Sequence, residues 1–356
     1  MRKLIILFVL LFSTPVFADI VVDPGHNVLS QAASTVPNGE VIILAAGLYT
    51  QTQSVNILGK SLSVIGKGPE VTEIRFTNSN GFVVDTNSTT KHVTLQGFTL
   101  STTNSGGYEA LRMRAARTTS NSNKQFLVDN LNIRPHDMGS DYWSYGMKVI
   151  NGWITNISNV HVRGKDNSTK MTTGIDLSGC SIEVKISKCA IYFAGTGVSV
   201  KDDAEGIYID GTTIVYATNG IMWVSPAAES LLNVTGCHIS TFSTSIYTYN
   251  VHWSQIVGNM LMKRHDSNKG YVGIFIINGN LNTIIGNTIL GAGIGGGQNG
   301  IVLDNVDYSI VVGNVLRDQH TDIWVRGGSY RNNVGGNTGN GIYYHIFDQG
   351  VGTKIF

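Results

Sequence analysis

Short stretches of alternating hydrophobic and polar residues recur along most of the chain. From about residue 90 onward, one phrase returns: an apolar residue, any residue, a Gly, Asn, Lys or Asp, a turn residue, any residue, and a second apolar residue. Its fourth positions lie 22 to 33 residues apart and are Phe98, Leu131, Val160, Cys189, Thr212, Cys237, Asn259, Asn287, Asn314 and Asn337. A repeat of this length predicts a solenoid with one coil per interval.

A second phrase, most often Gly-Ile-x-apolar, lies between the copies of the first. Its copies begin at Gly146, Gly174, Gly197, Gly220, Ser245, Gly273, Gly300 and Asp322. The strict period of two predicts a strand whose second and fourth residues face a core. Short strands in every coil, with no helical period between them, predict an all-β, single-stranded parallel β-helix of about 10 to 12 coils.

The fourth positions of the first phrase predict a ladder inside the solenoid. Asn259, Asn287 and Asn314 suit it, because stacked amides can hydrogen-bond to one another and to turn backbone that would otherwise be unpaired. Cys189 and Cys237 belong to the same ladder and are interpreted as structural thiols. The cysteine spacing matches no zinc motif, so we expect no metal site and no cofactor.

The amino-terminal region predicts two further features. Arg2 and Lys3 precede an apolar run, and small residues around Ala18 suit signal peptidase, so residues 1–18 are interpreted as a signal peptide and residues 19–356 as one β-helix domain. The hydrophobic residues from Val28 to Val36 have helical spacing and predict a short capping helix. We therefore expect a secreted or periplasmic protein with no transmembrane anchor after cleavage.

Charge narrows the classes of partner. Only 14% of the residues are charged, and the formal net charge is +1. Removal of Arg2 and Lys3 with the signal peptide changes this value to −1. A nearly neutral chain lacks the field that binding to nucleic acid or an anionic membrane requires, so we expect neither partner.

Two stretches resemble known families. Residues 29–49, LSQAASTVPNGEVIILAAGLY, resemble the opening of the pectin lyase-like superfamily. Residues 141–336 resemble the β-helix domain of bacteriophage tailspike polysaccharide depolymerases, through DYWSYGMKVINGW, TGIDLSGC, EGIYIDGTTIV and NTIIGNTIL. The resemblance implies a right-handed β-helix, frequently a homotrimer, that cleaves or binds a bacterial surface polysaccharide.

The third residues of the second phrase are predicted to face outward, because their neighbours face the core. They form one column: Lys148, Asp176, Ser199, Met222, Tyr247, Phe275, Val302 and Trp324. Aromatic rings suit the apolar faces of sugars, so Lys148, Tyr247 and Phe275 are candidate substrate-binding residues. An oligomer interface explains exposed rings equally well.

Hydrolysis of a glycosidic bond usually needs two carboxylates about 5 to 9.5 Å apart. Asp176 lies in the outward column, and Asp202, Asp203 and Glu205 follow the strand of the next coil. We predict that Asp176 and one of these three acids are catalytic. The alternative for each acid alone is a solvated loop residue.

Residues 134–145 combine acids, a His, an Arg and three aromatic residues. Because long insertions of a solenoid tend to line its binding face, Asp137, Asp141, Tyr142 and Trp143 are predicted to form a groove wall. Asp137 and Asp141 are second-choice catalytic acids. The alternative is an aromatic stack that covers the flank of the solenoid.

The preferred hypothesis is a secreted endo-acting glycoside hydrolase that depolymerises a capsule or O-antigen type of glycan. A polysaccharide lyase or uronate epimerase is the alternative enzyme, for which Lys148, Arg163, Lys201 and Arg264 are available. Since no compact basic cluster is evident in the outward columns, we favour hydrolysis. A non-catalytic glycan-binding or structural β-helix is the alternative from another class, because this fold serves both uses.

Overall fold

A computed structural model describes residues 19–88, 90–117, 125–265, 270–292 and 297–356. The predicted signal peptide, residues 1–18, lies outside the described residues. One helix, α1 (Val28–Thr35), precedes nearly all of the strands. The strands are β1 (Ile20–Val22), β2 (Val41–Leu44), β3 (Gly47–Gln51), β4 (Val55–Leu58), β5 (Leu62–Ile65), β6 (Thr72–Phe76), β7 (Phe82–Asp85), β8 (Val93–Thr102), β9 (Glu109–Arg114), β10 (Phe126–Pro135), β11 (Tyr145–Ile150), β12 (Asn156–Ser158), β13 (His161–Arg163), β14 (Met171–Ser178), β15 (Ile182–Ser187), β16 (Ala190–Tyr192), β17 (Ala194–Lys201), β18 (Glu205–Asp210), β19 (Thr213–Ser230), β20 (Leu232–Thr235), β21 (His238–His252), β22 (Gln255–Val257), β23 (Met260–Lys263), β24 (Val272–Ile277), β25 (Thr283–Ile285), β26 (Thr288–Leu290), β27 (Asn299–Asp304), β28 (Ile310–Val312), β29 (Val315–Arg317), β30 (Thr321–Val325), β31 (Asn333–Gly335), β32 (Thr338–Gly339), β33 (Tyr344–Asp348) and β34 (Lys354–Ile355).

The strands pair in parallel and form three long ladders, here called sheets 1, 2 and 3. Sheet 1 contains β1, β2, β5, β12, β15, β18, β20, β22, β25, β28, β31 and β34; sheet 2 contains β3, β6, β13, β16, β23, β26, β29 and β32; sheet 3 contains β4, β7, β9, β11, β14, β17, β24, β27, β30 and β33. Strands β8 and β10 run from sheet 1 into sheet 2, and β19 and β21 run from sheet 2 into sheet 3. The chain is thus a parallel β-helix of about 12 turns, which confirms the predicted fold class.

Alternation of side chains places the core inside the three sheets. On β14 of sheet 3, Ile175 and Leu177 are fully buried, and Val198 directly above Ile175 is fully buried too. Stacked branched side chains of this kind fill the interior of every coil. The helix α1 buries Leu29 and Ala33 and lies beside the first strands, as predicted for an amino-terminal cap.

The predicted asparagine ladder is present. Asn259 Nδ2 donates to Asn287 Oδ1 at 2.9 Å, and Asn287 repeats this contact with Asn314 Oδ1 at 2.9 Å. Asn314 in turn donates to Asn337 Oδ1 at 2.9 Å. Each amide also binds backbone of a neighbouring turn; Asn287 Nδ2, for example, donates to the carbonyl of Ile256 at 2.9 Å. The amides therefore pair backbone groups that the solenoid buries.

In the lower coils the ladder position holds less polar residues. Cys189 and Cys237 are buried free thiols, with the hydroxyl of Thr212 accepting from the Cys189 backbone N–H between them. Burial raises the pKa of both thiols to about 11, so they remain protonated and unreactive. No helix in the described ranges has the length and hydrophobicity of a transmembrane span.

Candidate functional site on sheet 3

The predicted outward column exists as one continuous row on sheet 3. Strand register places its members directly above one another: Lys148, Asp176, Ser199, Met222, Tyr247, Phe275, Val302 and Trp324. The row continues below to Arg112 on β9 and above to Phe347 on β33. Successive members are spaced by about 4.8 Å, the distance between hydrogen-bonded strands.

The lower end of the row carries a group of five charged residues, here called the charged cluster: Glu109, Arg112, Lys148, Asp176 and Lys201. Lys201 Nζ lies 3.1 Å from Asp176 Oδ1, and Lys148 Nζ lies 3.4 Å from Glu109 Oε1. Arg112 Nε lies 3.6 Å from the other oxygen of Glu109. Three cations face two carboxylates, so the cluster has a positive excess.

Asp176 combines an outward position with almost complete burial. Its side chain is 3% exposed, whereas that of its partner Lys201 is 51% exposed. Ser199, the next residue up the row, is also buried. A carboxylate withdrawn from water is stable only with a compensating charge, which Lys201 supplies here. Asp176 is therefore paired with a cation that is itself half exposed to solvent.

The three acids predicted to work with Asp176 lie at and beyond the corner between sheets 3 and 1. Asp202 has a left-handed backbone with φ 61°, and its Oδ2 accepts from the Gly179 backbone N–H at 2.9 Å. Asp203 forms an ion pair with Arg117, and Glu205 begins β18 on sheet 1. Within the described residues, no hydrogen bond or ion pair joins Asp176 to any of the three acids.

Asp202 contacts the chain segment that follows Asp176. Its carboxylate binds the backbone of Gly179, three residues after Asp176 along the same chain segment. Three residues of extended chain span about 10 Å. Elsewhere in the described part of the chain, no group of three or more His, Cys, Asp or Glu side chains is placed to hold a metal ion.

The two acids of the predicted groove wall hold their own turn together. Asp137 accepts from the Gly139 N–H at 2.8 Å and from the Ser140 hydroxyl at 3.0 Å, and these hydrogen bonds lower the pKa of its carboxyl group. Asp141 accepts from the Asp137 N–H at 2.9 Å and from the Ser140 hydroxyl at 2.8 Å. The contacts recorded for both carboxylates thus serve the turn itself.

The aromatic residues of the same segment point away from one another. Trp143 is fully buried and packs edge to face against Phe76, with ring centroids 6.1 Å apart. This corrects the predicted surface position of Trp143, because alternation along the segment turns residues 141 and 143 inward. Tyr142 is half-buried, and its ring lies over Gly106, where a Cβ atom would approach to 2.7 Å.

The upper end of the row carries four aromatic residues, here called the aromatic shelf: Tyr247, Phe275, Trp324 and Phe347. The rings of Tyr247 and Phe275 meet edge to face at 5.6 Å, and those of Trp324 and Phe347 lie 5.8 Å apart. Arg326 joins the two pairs, since its guanidinium lies 5.3 Å from the Phe275 ring and 4.3 Å from the Trp324 ring. All four aromatic side chains of the shelf are half-buried.

The sequence interpretation missed part of the charged cluster. Glu109 and Arg112 belong to β9, which lacks the Gly-Ile phrase, so they were not assigned to the outward columns. Arg112 forms, with Lys148 and Lys201, the compact basic group that the sequence did not reveal, and Glu109 pairs with two of these cations. The alternation of Leu111 and Met113 with Arg112 and Arg114 could have indicated the outward face of β9. The two consecutive apolar residues Ala110 and Leu111 interrupt this alternation at the start of the strand.

No family model matches the sequence, and no curated protein matches it. Among solved structures, the A-module of mannuronan C-5 epimerase AlgE6 from Azotobacter vinelandii matches with a TM-score of 0.66 at 13% identity, covering 92% of this chain and 93% of that one. The A-module of AlgE4 from the same organism gives 0.56 at 12% identity, with 92% and 94% covered. Tailspike protein 3 of bacteriophage CBA120 gives 0.63 at 15% identity, covering 92% of this chain and 56% of that one.

These similarities establish the class of fold. The chain is a parallel β-helix, and it shares this architecture with the epimerase modules and with the tailspike. The resemblance expected from the two sequence stretches is confirmed at the level of fold.

Proposed function

We propose that the chain is a polysaccharide-active enzyme whose substrate lies along sheet 3 and whose chemistry is centred on Asp176. The observation that carries this proposal is a nearly buried carboxylate in an outward position, paired with an accessible lysine. Charged residues below and aromatic rings above suit the hydroxyl or carboxylate groups and the flat faces of a sugar chain, respectively. The epimerase and tailspike modules with this fold support a glycan as the substrate class.

Glycoside hydrolysis remains the first proposed reaction. In this reaction Asp176, paired with Lys201, acts as the base or nucleophile, and a second acid protonates the leaving oxygen. Asp202 is the first candidate, because its carboxylate binds the backbone of Gly179, three residues after Asp176. An inverting enzyme would need the two carboxylates about 6.5 to 9.5 Å apart, with a water molecule between them. Asp203 and Glu205 are the remaining candidates from the sequence.

A lyase or epimerase reaction on a uronate is the second proposed reaction, and the charged cluster favours it. Arg112, Lys148 and Lys201 could bind and neutralise a sugar carboxylate, which acidifies the adjacent C–H bond. A base in the cluster would then remove that proton. The same cations give a hydrolase no evident advantage with a neutral glycan, so the charge of the preferred substrate separates the two reactions.

Three further features belong to the proposal rather than to the observed fold. Export after cleavage at Ala18 would bring the protein to a bacterial surface glycan of the capsule or O-antigen type. A homotrimer could place sheet 3 at or near a subunit boundary. Tyr142 and the turn at Asp137 could still border the glycan from the side of sheet 3.

The proposal is tested with the purified chain and a panel of neutral and acidic bacterial surface polysaccharides. We expect a fall in polymer size for at least one glycan, with new reducing ends from hydrolysis or ultraviolet absorbance of an unsaturated sugar from a lyase. Exchange of the C5 proton with solvent, without a fall in size, would identify an epimerase. Binding without any chemical change across the panel would identify a glycan-binding protein and contradict the enzyme proposal.

A further inference from the structure

A second pair of polar residues lies near the upper end of sheet 3, at the position where the strand phrase usually begins with Gly. At Gly300 an added Cβ atom would lie 2.5 Å from the carbonyl oxygen of Asp322 in the next coil. Asp322 takes the head position of its own strand, and the register of β30 with β33 places His345 beside it in the coil after that. In two successive coils, the side chains of Asp322 and His345 thus stand where the lower coils have glycine.

The two side chains form a defined contact. Asp322 Oδ2 accepts from His345 Nδ1 at 2.8 Å and from the Gly341 backbone N–H at 2.8 Å. The Asp322 side chain is fully buried, whereas that of His345 is 41% exposed. Oδ1 of Asp322 is buried as well, and no donor in the described part of the chain reaches it. The imidazole is therefore anchored on its inner edge and open on its outer edge.

The backbone around the carboxylate is shaped to contain it. A Cβ atom on Gly339 would lie 2.0 Å from Asp322 Oδ2, and one on Gly341 would lie 3.1 Å from it. Burial raises the pKa of Asp322, while the hydrogen bonds from His345 and Gly341 partly oppose this shift. A buried carboxylate with an unsatisfied oxygen is a cost to stability that a structural position does not require.

The pair has the geometry of an oriented base. An ionised carboxylate can only accept, so Nδ1 of His345 carries the proton and Nε2 presents its lone pair outward. The same arrangement of carboxylate and imidazole fixes the tautomer of the base in hydrolytic enzymes. An imidazole held in this way can remove a proton from water beside a bound substrate.

Aromatic rings continue the shelf up to this imidazole. Tyr344, the residue before His345, is 51% exposed and stacks on Phe347 with ring centroids 4.8 Å apart. Phe347 in turn contacts Trp324. A sugar lying on these rings would present its substituents beside the open edge of His345.

We propose that Asp322 and His345 form a second reaction centre, in which His345 is the catalytic base for hydrolysis of O-acyl esters on the glycan. His345 Nε2 takes a proton from water, and the water oxygen adds to the ester carbonyl. The tetrahedral intermediate then expels the sugar alkoxide, which recovers the proton from Nε2 and leaves a free hydroxyl and a carboxylic acid. Asp322 is a positioning residue. The glycan as carrier rests on the proposed function, but the ester chemistry does not.

This centre is separate from the charged cluster. Asp176 and Trp324 are six coils apart in the outward row, which corresponds to about 29 Å along the solenoid. Neither centre can therefore supply groups to the reaction of the other. A small ester without sugar tests the second centre independently of any polysaccharide.

The experiment uses the purified chain and p-nitrophenyl acetate. We expect protein-dependent release of nitrophenol, and we expect His345→Gln to lower its rate by about 10²-fold, the low end for a positioned base. His161→Gln is the matched control, because His161 is exposed on β13 of sheet 2, and it should leave the rate unchanged. An equal rate in His345→Gln and the unaltered chain would overturn the proposal, whatever the outcome with polysaccharides.

The role of Asp322 is tested by the tautomer of His345. In the unaltered protein, ¹⁵N NMR of the imidazole should report a proton on Nδ1 in the neutral form. Asp322→Asn should lose both this tautomer preference and most of the ester hydrolysis, while circular dichroism remains that of a β-helix. If the neutral imidazole of His345 in the unaltered chain carries its proton on Nε2, the proposed base is wrong. This result does not depend on whether the Asp322 variant folds.

Discussion

The lower and upper ends of the outward row on sheet 3 differ in chemistry although they share one backbone. Below, Asp176 and its neighbours are charged and lie over an interior of Ile175 and Leu177. Above, Tyr247 and Phe275 are aromatic, and Phe275 lies over an equivalent interior of Ile274 and Ile276. The solenoid thus determines where outward side chains stand, and their identities determine what each end can bind.

The two ends also differ in what supports them. The ladder inside the upper coils consists of asparagines from Asn259 to Asn337, whereas the lower coils hold Cys189 and apolar residues at the same position. Amide pairing fixes the turns of the upper coils by hydrogen bonds, and close packing fixes those of the lower coils. Substitutions at the two ends should therefore affect catalysis, binding and stability separately.

The largest expected effect is on catalysis at the lower end. Asp176→Asn should keep the fold, because the amide is nearly isosteric with the carboxylate, and should lower kcat by about 10² to 10⁴-fold with little change in KM. The measurement is the initial rate on a glycan that the unaltered chain modifies. Asp210→Asn, at an exposed acid of sheet 1, is the control and should retain full activity.

The next effect concerns stability at the upper end. Asn287→Leu should lower the free energy of unfolding by about 1 to 3 kcal/mol, because turn backbone would be buried without its partner. Thr288→Ala, at the adjacent half-buried position of β26, should cost less than about 0.5 kcal/mol. Equal losses in urea unfolding would show that the inward and outward assignment is wrong.

A smaller effect should appear in the binding of acidic glycans at the lower end. Arg112→Met removes one accessible cation of the charged cluster without removing the partner of Asp176, and it should raise KM for a uronate polymer by about tenfold at low salt. The difference should shrink as ionic strength rises, since salt screens exposed charges. Lys185→Met, at an exposed lysine of sheet 1, should leave KM unchanged.

The smallest effect should follow loss of a ring at the upper end. Phe275→Ala should weaken glycan binding by about 1 kcal/mol, the scale of one aromatic contact, and salt should not alter this loss. Isothermal titration with a defined oligosaccharide measures it. Tyr208→Ala on sheet 1 is the control; an equal weakening there would indicate that the shelf is not the binding face.

The fold and the outward row could be predicted from the sequence because both depend on short-range alternation. Alternation with a period of two shows which residues face the same side of a strand. Parallel stacking then aligns these residues in a column from coil to coil. Lys148, Asp176, Tyr247 and Phe275 were found in this way. The ladder asparagines follow from the same argument, since Asn recurs at the same position of four successive coils.

Contacts across a corner or within an irregular segment could not be predicted in the same way. The sequence grouped Asp202, Asp203 and Glu205 with Asp176, but the corner directs them to Gly179, to Arg117 and to sheet 1. Such directions depend on left-handed backbone at single positions, which no periodic pattern encodes.

The contact between Asp322 and His345 was missed for a related reason. Asp322 occupies a glycine position in its repeat, and its distant partner His345 belongs to a coil without the phrase. Trp143 was expected in a groove wall because long insertions of a solenoid tend to line its binding face, but alternation within the segment places it inside. A residue that departs from its own repeat is thus a stronger sign of a special role than a residue that merely looks reactive.

The most direct test of the central claim is a crystal structure of Asp176→Asn with an oligosaccharide of a glycan that the unaltered chain modifies. We expect a sugar chain along sheet 3, with one unit in hydrogen-bond contact with residue 176 and with Lys201, and other units on the rings of Tyr247 and Phe275. An oligosaccharide bound on sheet 1 or sheet 2, with sheet 3 empty, would contradict it.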